Sequence, residues 1–228
     1  MNRLELKGGR MLLKQGKVYF VGAGPGDPEL ITMKGIYALA EADVIIYDRL
    51  IPIQLLKYTK PGARLCYCGK EPGDHAKTQS EIHALMLSEA KQGRVVVRLK
   101  GGDPGIFGRV GEEAAICAEH QIPIEVIPGI TSGLAAASYA GIPLTHREYS
   151  SNVAFISGHR SEDNEKKPVN WAAIAGFDTI VVYMGVKHLP MIREQLLKHG
   201  KDPHTPVAVV RSAATGHQQT STGTLDDL

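Results

Sequence analysis

Three times in this chain an apolar run breaks into a turn of glycine and other small residues, and a helix-forming stretch follows. Val18-Tyr19-Phe20-Val21 ends in Gly22-Ala23-Gly24-Pro25-Gly26-Asp27. Val95-Val96-Val97-Arg98-Leu99 leads into Gly101-Gly102-Asp103-Pro104, and a strand at about 124–127 leads into Pro128-Gly129-Ile130-Thr131-Ser132. Repetition of strand, turn and helix points to an α/β fold with a mostly parallel sheet. In such sheets, ligands bind outside the carboxyl ends of the strands. Glycine, lacking Cβ, lets the backbone come close to a ligand there. Three such turns favour one shared cleft, and they absorb part of the 25 glycines among 228 residues.

The remaining pattern fits this frame. A helix starts near Thr32, with Ile36, Leu39 and Ala40 expected on one face. Val44 to Tyr47 is a fully apolar strand, as when helices cover both faces of a sheet. Arg64 to Cys68 reads as a strand on which Cys66 and Cys68 point the same way as packing residues. Thr78-x-x-Glu81 is a capping box ahead of Ile82, Leu85, Met86 and Ala90, and Gly93 stops that helix. Helices follow at about 111–120 and at Thr131 to Ala140. From Asn152 a second unit begins, with strands at Val153 to Ile156, Thr179 to Met184 and Val207 to Val210. A helix from Met191 to His199 follows Pro190. The charged stretch Ser161 to Lys167 reads as an exposed loop. The expected organisation is an arm at 1–16, one α/β domain at 17–147 and a second at 148–228.

Charge and composition exclude several functions. Twenty-six Lys+Arg against 24 Asp+Glu is too balanced for a protein that coats nucleic acid or an anionic membrane. No apolar run nears the ~18 residues of a membrane span, and Met1 to Lys17 has no signal-peptide core. Three cysteines form no disulfide framework and fit a reducing cytoplasm. The nine histidines lack zinc-site spacing, so no metal is expected. The first turn is not a dinucleotide fingerprint, because Asp27 stands where the third glycine is needed. Polar residues nevertheless gather at strand ends: Asp48-Arg49 after the strand at 44–47, Lys70 after the strand at 64–68, Arg109 past the second glycine turn, and His146-Arg147 near the domain boundary. A cleft rich in Arg, Lys and His suits a polyanionic substrate, because Arg grips carboxylates with two bonds.

These strings together resemble the tetrapyrrole methylase family. They are Val21 to Pro28, Tyr47-Asp48-Arg49-Leu50, Gly69-Lys70, Leu99 to Phe107, Gly108-Arg109, Pro128 to Thr131, Gly141 to Arg147 and Tyr183-Met184-Gly185. The resemblance runs unbroken over about 17–228. It implies two α/β domains with a ligand cleft between them, a homodimer, and S-adenosylmethionine as methyl donor. The donor would meet Pro25, Gly101, Gly102, Asp103, Ile106, Thr131, Ser132 and Met184, and by register Ala213 where the family has a glycine. Arg49, Arg109, His146, Arg147 and Tyr183 would face the tetrapyrrole. Asp48 and Lys70 match a proton acceptor and donor, although Asp48 could instead stabilise a cationic ring and Lys70 could hold a substrate carboxylate. The implied reaction is C-methylation of uroporphyrinogen III at C2 and C7, giving precorrin-2 for siroheme or cobalamin and S-adenosylhomocysteine as by-product. A later corrin-ring methylase, diphthine synthase or a non-catalytic binding module are the alternatives. Relatives continue past Gly223-Thr224-Leu225 with a helix and a last strand, so the second domain is expected either to lack those pieces or to close its sheet some other way.

Overall fold

A computed structural model of the chain describes residues 4–7, 10–13, 16–69, 77–158 and 169–228. Lys70 and the loop expected at Ser161 to Lys167 lie outside the described residues. Contacts divide the chain into two compact units, Met1–Ser132 and Gly133–Leu228. The division falls ahead of the expected boundary at 147/148, so residues 133–147 belong to the second unit. The expected N-terminal arm contains a hairpin, in which β1 (Leu4–Lys7) pairs antiparallel with β2 (Arg10–Leu13).

A five-stranded sheet organises the first unit. Its strands are β3 (Lys17–Gly22), β4 (Val44–Tyr47), β5 (Arg64–Tyr67), β6 (Val95–Lys100) and β7 (Ile124–Ile127). They lie in the order β5-β4-β6-β3-β7, and every pairing is parallel. The central strand β6 is buried along its whole length. Its valine run suits a position covered on both faces.

Three helices cover the sheet. Helix α1 (Met33–Glu41) begins at Thr32, whose hydroxyl accepts the Gly35 N–H at 3.1 Å. Its buried residues are Gly35, Ala38 and Leu39, the i, i+3, i+4 stripe of one helical face. Ala40, expected on that face, is exposed because it lies one residue beyond the stripe. Helix α2 (Gln79–Lys91) carries the capping box between Thr78 and Glu81, and Gly93 follows it at φ 79°. Helix α3 (Val110–Glu119) precedes β7. Helix α1 packs with Val21, Ile45, Val97 and Leu99 on one face of the sheet. Helices α2 and α3 pack with Val18, Phe20, Ile46 and Val96 on the other, where Cys66, Cys68 and Cys117 are also buried.

This wiring locates a crevice. The chain leaves β3 for the α1 face and leaves β6 for the α3 face, yet β3 and β6 are neighbours. Connections departing to opposite faces of adjacent strands open the sheet at their carboxyl ends.

The second unit contains α4 (Ser132–Tyr139), which begins at the division, and a parallel pair β8 (Val153–Ser157) and β9 (Thr179–Tyr183). Between them lies α5 (Trp171–Ala175). Helix α6 (Leu189–Lys198), with Pro190 in its first turn, leads to an antiparallel pair, β10 (Pro206–Arg211) and β11 (Gln219–Thr224). Ile156, Trp171, Ile192, Leu196 and Leu225 form its core. Among the described residues, no helix is long and apolar enough to cross a membrane.

Candidate functional site

The three glycine turns of the first unit meet at the carboxyl ends of β3, β6 and β7. Gly24 and Gly102 exchange backbone hydrogen bonds, Gly24 N–H to Gly102 O at 3.2 Å and Gly102 N–H to Gly24 O at 2.6 Å. Side chains would prevent this packing. A Cβ on Gly22 would lie 2.5 Å from Gly129 N, and one on Gly129 would lie 2.4 Å from Gly102 O. Gly24 and Gly102 have φ of 80° and 67°, which glycine adopts without strain. The shared location expected from the sequence is therefore present, as contact of backbone on backbone.

Asp103 ties two of these turns together. Its Oδ1 accepts the Gly105 N–H at 2.7 Å and its Oδ2 accepts the Gly129 N–H at 2.9 Å. The expected ligand contact is thus also an internal brace. Ile106 closes the same turn, donating its N–H to Asp103 O at 3.3 Å. Pro25, Thr131 and Ser132 are half-buried on the other two turns. Asp27 caps a short 3-10 turn, accepting the Glu29 N–H at 2.8 Å.

Asp48 follows β4, and its side chain is 31% exposed. Its Oδ1 accepts the Leu50 N–H at 3.0 Å, and its Oδ2 lies 3.5 Å from Arg98 Nη2. Behind it is a buried ionic group that the sequence reading passed over. Arg98 Nε donates to Glu113 Oε1 at 3.1 Å, and Lys100 Nζ donates to Glu113 Oε2 at 2.6 Å. All three residues are almost fully buried. Burial and the neighbouring Arg98 charge push the Lys100 ammonium below its ordinary pKa, against the opposing pull of Glu113. The signal for this group was the i, i+2 spacing of two cations inside a strand otherwise apolar.

The remaining first-unit candidates are more open. Arg49 is exposed. Arg109 stands at φ 58° ahead of α3 and grips Glu112 through two bonds of 3.0 and 2.6 Å. Those bonds hold the Glu112 carboxyl below its usual range.

The other candidates lie in the second unit. Tyr183 ends β9, where its hydroxyl accepts the Gly133 N–H at 2.9 Å and its ring meets Phe155 edge-on at 5.9 Å. Met184 follows at φ 55° and is 58% exposed, an unusual conformation for a long side chain. Ala213 is half-buried in the turn between β10 and β11, flanked by Ser212 and Ala214 at φ 51° and 54°. His146 and Arg147 are exposed in a tight turn, where the His146 ring lies 4.7 Å from that of Tyr149.

Comparison with known proteins agrees with this architecture. The family model of the tetrapyrrole (corrin/porphyrin) methylases matches residues 17–228. The uroporphyrinogen-III C-methyltransferase of Priestia megaterium is 53% identical over 214 residues, covering 93% of this chain and 90% of the relative. The crystal structure of uroporphyrin-III C-methyl transferase from Thermus thermophilus complexed with S-adenyl homocysteine superposes with a TM-score of 0.79 at 41% identity, over 93% of this chain and 85% of that one. A cobalt precorrin-4 methyltransferase also gives a TM-score of 0.79, at 31% identity over 92% of this chain and 86% of that one. From its glycine turns to its whole-chain likeness, the chain belongs to the tetrapyrrole (corrin/porphyrin) methylase family.

Proposed function

We propose that this chain methylates carbon atoms of uroporphyrinogen III with S-adenosylmethionine, at C2 and C7, giving precorrin-2. The observation that carries the reading is the meeting of the Gly22–Gly26, Gly101–Asp103 and Pro128–Ser132 turns at the switch point between β3 and β6. Backbone amides and carbonyls freed of side chains suit the hydroxyls and charged amino-acid end of the donor. Pro25, Gly101, Gly102, Asp103, Ile106, Thr131 and Ser132 are the residues that would hold it, and the resemblance adds Met184 and Ala213. The donor supplies an already activated methyl group on a sulfonium.

The residues of this chain then have three tasks. The glycine turns orient the reactants, the largest contribution to a transfer between activated partners. Arg49, Arg109, His146 and Arg147 are assigned to the carboxylates of the tetrapyrrole, and Tyr183 is assigned to the same substrate. Asp48, fixed by the Leu50 N–H, takes the proton that leaves the methylated carbon or stabilises the cationic ring before it leaves. Lys70 is assigned by the resemblance to proton donation or carboxylate binding. The same reading carries a cytoplasmic homodimer serving siroheme or cobalamin synthesis. Tyr47-Asp48-Arg49-Leu50 and Leu144 to Arg147 favour it over a later corrin-ring methylase.

Purified protein with methyl-labelled S-adenosylmethionine and freshly made uroporphyrinogen III tests the reading. Two labelled methyl groups per tetrapyrrole are expected. Binding of both compounds without methyl transfer would instead indicate a binding module.

A further inference from the structure

We propose that Arg98, anchored by the Glu113 carboxylate it shares with Lys100, is the positioning residue for Asp48. The proposal rests on the reading that Asp48 acts in methyl transfer. Arg98 lies in the middle of β6, on the sheet face whose other buried residues include Val18, Phe20, Ile46 and Val96. Buried ion networks add little net stability, because desolvation offsets their attraction. Their presence at one defined place therefore calls for a role other than stability.

The geometry supplies that role. Arg98 Nε is held by Glu113, and Nη1 is shared between Ile46 O at 3.4 Å and Leu99 O at 3.3 Å. These acceptors come from α3, β4 and β6, so the guanidinium plane is fixed by three elements. Nη2 lies 3.5 Å from Asp48 Oδ2, an ion pair at the open end of the guanidinium. The other carboxylate oxygen is occupied by the Leu50 N–H. Asp48 is thus oriented from both sides. Glu113 takes Arg98 on one oxygen and Lys100 on the other, so two cations face two carboxylates. Lys100 directly precedes Gly101-Gly102, so the strand that aligns Asp48 also carries the central glycine turn.

The test is a double-mutant cycle on full-length protein. Arg98→Lys keeps the charge but removes the planar fork. A misplacement of about 1 Å costs on the order of 10²-fold in rate, so kcat is expected to fall about 10–100-fold. KM and the affinity for S-adenosylhomocysteine should stay within about threefold. In an Asp48→Asn background, Arg98→Lys should lower the residual rate by less than about threefold, since the group it positions is gone. Single-turnover assays with labelled donor at enzyme excess keep the slow variants measurable. Equal fold-losses in both backgrounds, or an unchanged kcat in Arg98→Lys alone, overturn the proposal. Asp48→Asn at the native rate overturns the reading of Asp48 itself, a separate result. Should Arg98→Lys fold poorly by thermal unfolding, Glu113→Gln provides the second variant. It is expected to lower kcat in the same background-dependent way, and equal losses in both backgrounds again count against the proposal.

Discussion

Gly129→Ala isolates the backbone-on-backbone contact at the centre of the site. The added Cβ would lie 2.4 Å from Gly102 O and 2.8 Å from Gly22 Cα. A relaxed carbon–carbon contact needs about 3.5–4.0 Å, so the turns must separate by roughly 1 Å. Separation strains two hydrogen bonds, Gly24 N–H to Gly102 O and Gly129 N–H to Asp103 Oδ2. Overpacking costs about 1–3 kcal/mol. Partial weakening of these two hydrogen bonds together adds about 0.5–1.5 kcal/mol. Loss of glycine freedom in the unfolded chain returns about 0.4–1 kcal/mol. The expected destabilisation is therefore about 1–4 kcal/mol, with weakened binding of S-adenosylhomocysteine. Urea titration followed by far-UV circular dichroism measures the first, because the single Trp171 reports on the second unit. Calorimetry measures the second. Gly111→Ala is the control: its Cβ meets nothing within 4 Å at an exposed helical position, so a gain of up to about 1 kcal/mol is expected. A Gly129→Ala protein as stable as the native one, with unaltered binding, would refute the argument from close approach.

Two further outcomes follow from the same structure. Arg147→Ala should weaken tetrapyrrole binding far more than S-adenosylhomocysteine binding without altering thermal stability, since Arg147 is exposed; equal loss of both affinities would mean the residue is structural. Burial pushes the Cys117 thiol up to about 11, so it is protonated in the fold near neutral pH. At pH 8 the folded thiol is therefore overwhelmingly protonated, and a thiol-specific reagent should label Cys117 quickly only after unfolding.

The sequence disclosed β3, β4 and β6 because each is an apolar run ended by a turn, and their burial matches that pattern. It did not disclose β11, whose Gln-Thr-Ser-Thr-Gly-Thr has no apolar face and exists through its ladder with β10. Five-residue α5 was too short to show a helical period. At the site, the glycine turns were legible because tight backbone contact demands glycine at fixed places. The Asp48–Arg98–Glu113–Lys100 group was not. Alternating charges on a strand ordinarily indicate a solvated face, and only the cover of α2 and α3 on that side of the sheet turns that face inward. The bracing role of Asp103 was equally hidden, since its carboxylate accepts two backbone amides, one of them 26 residues away.

The strand order also sets a timetable for synthesis. β3 is made early, yet it pairs with β6 and β7 and not with its chain successor β4. Val18 must wait for Val96, and at about 5–20 residues per second that interval is on the order of 4–16 s on the ribosome. Through that time both hydrogen-bonding edges of a strand carrying Val18, Phe20 and Val21 lack their native partners. The nascent chain is therefore most exposed to aggregation just before β6 emerges; insertion of β6 between β3 and β4 joins four strands and brings the first two glycine turns together, and β7 then completes the sheet and adds the third turn.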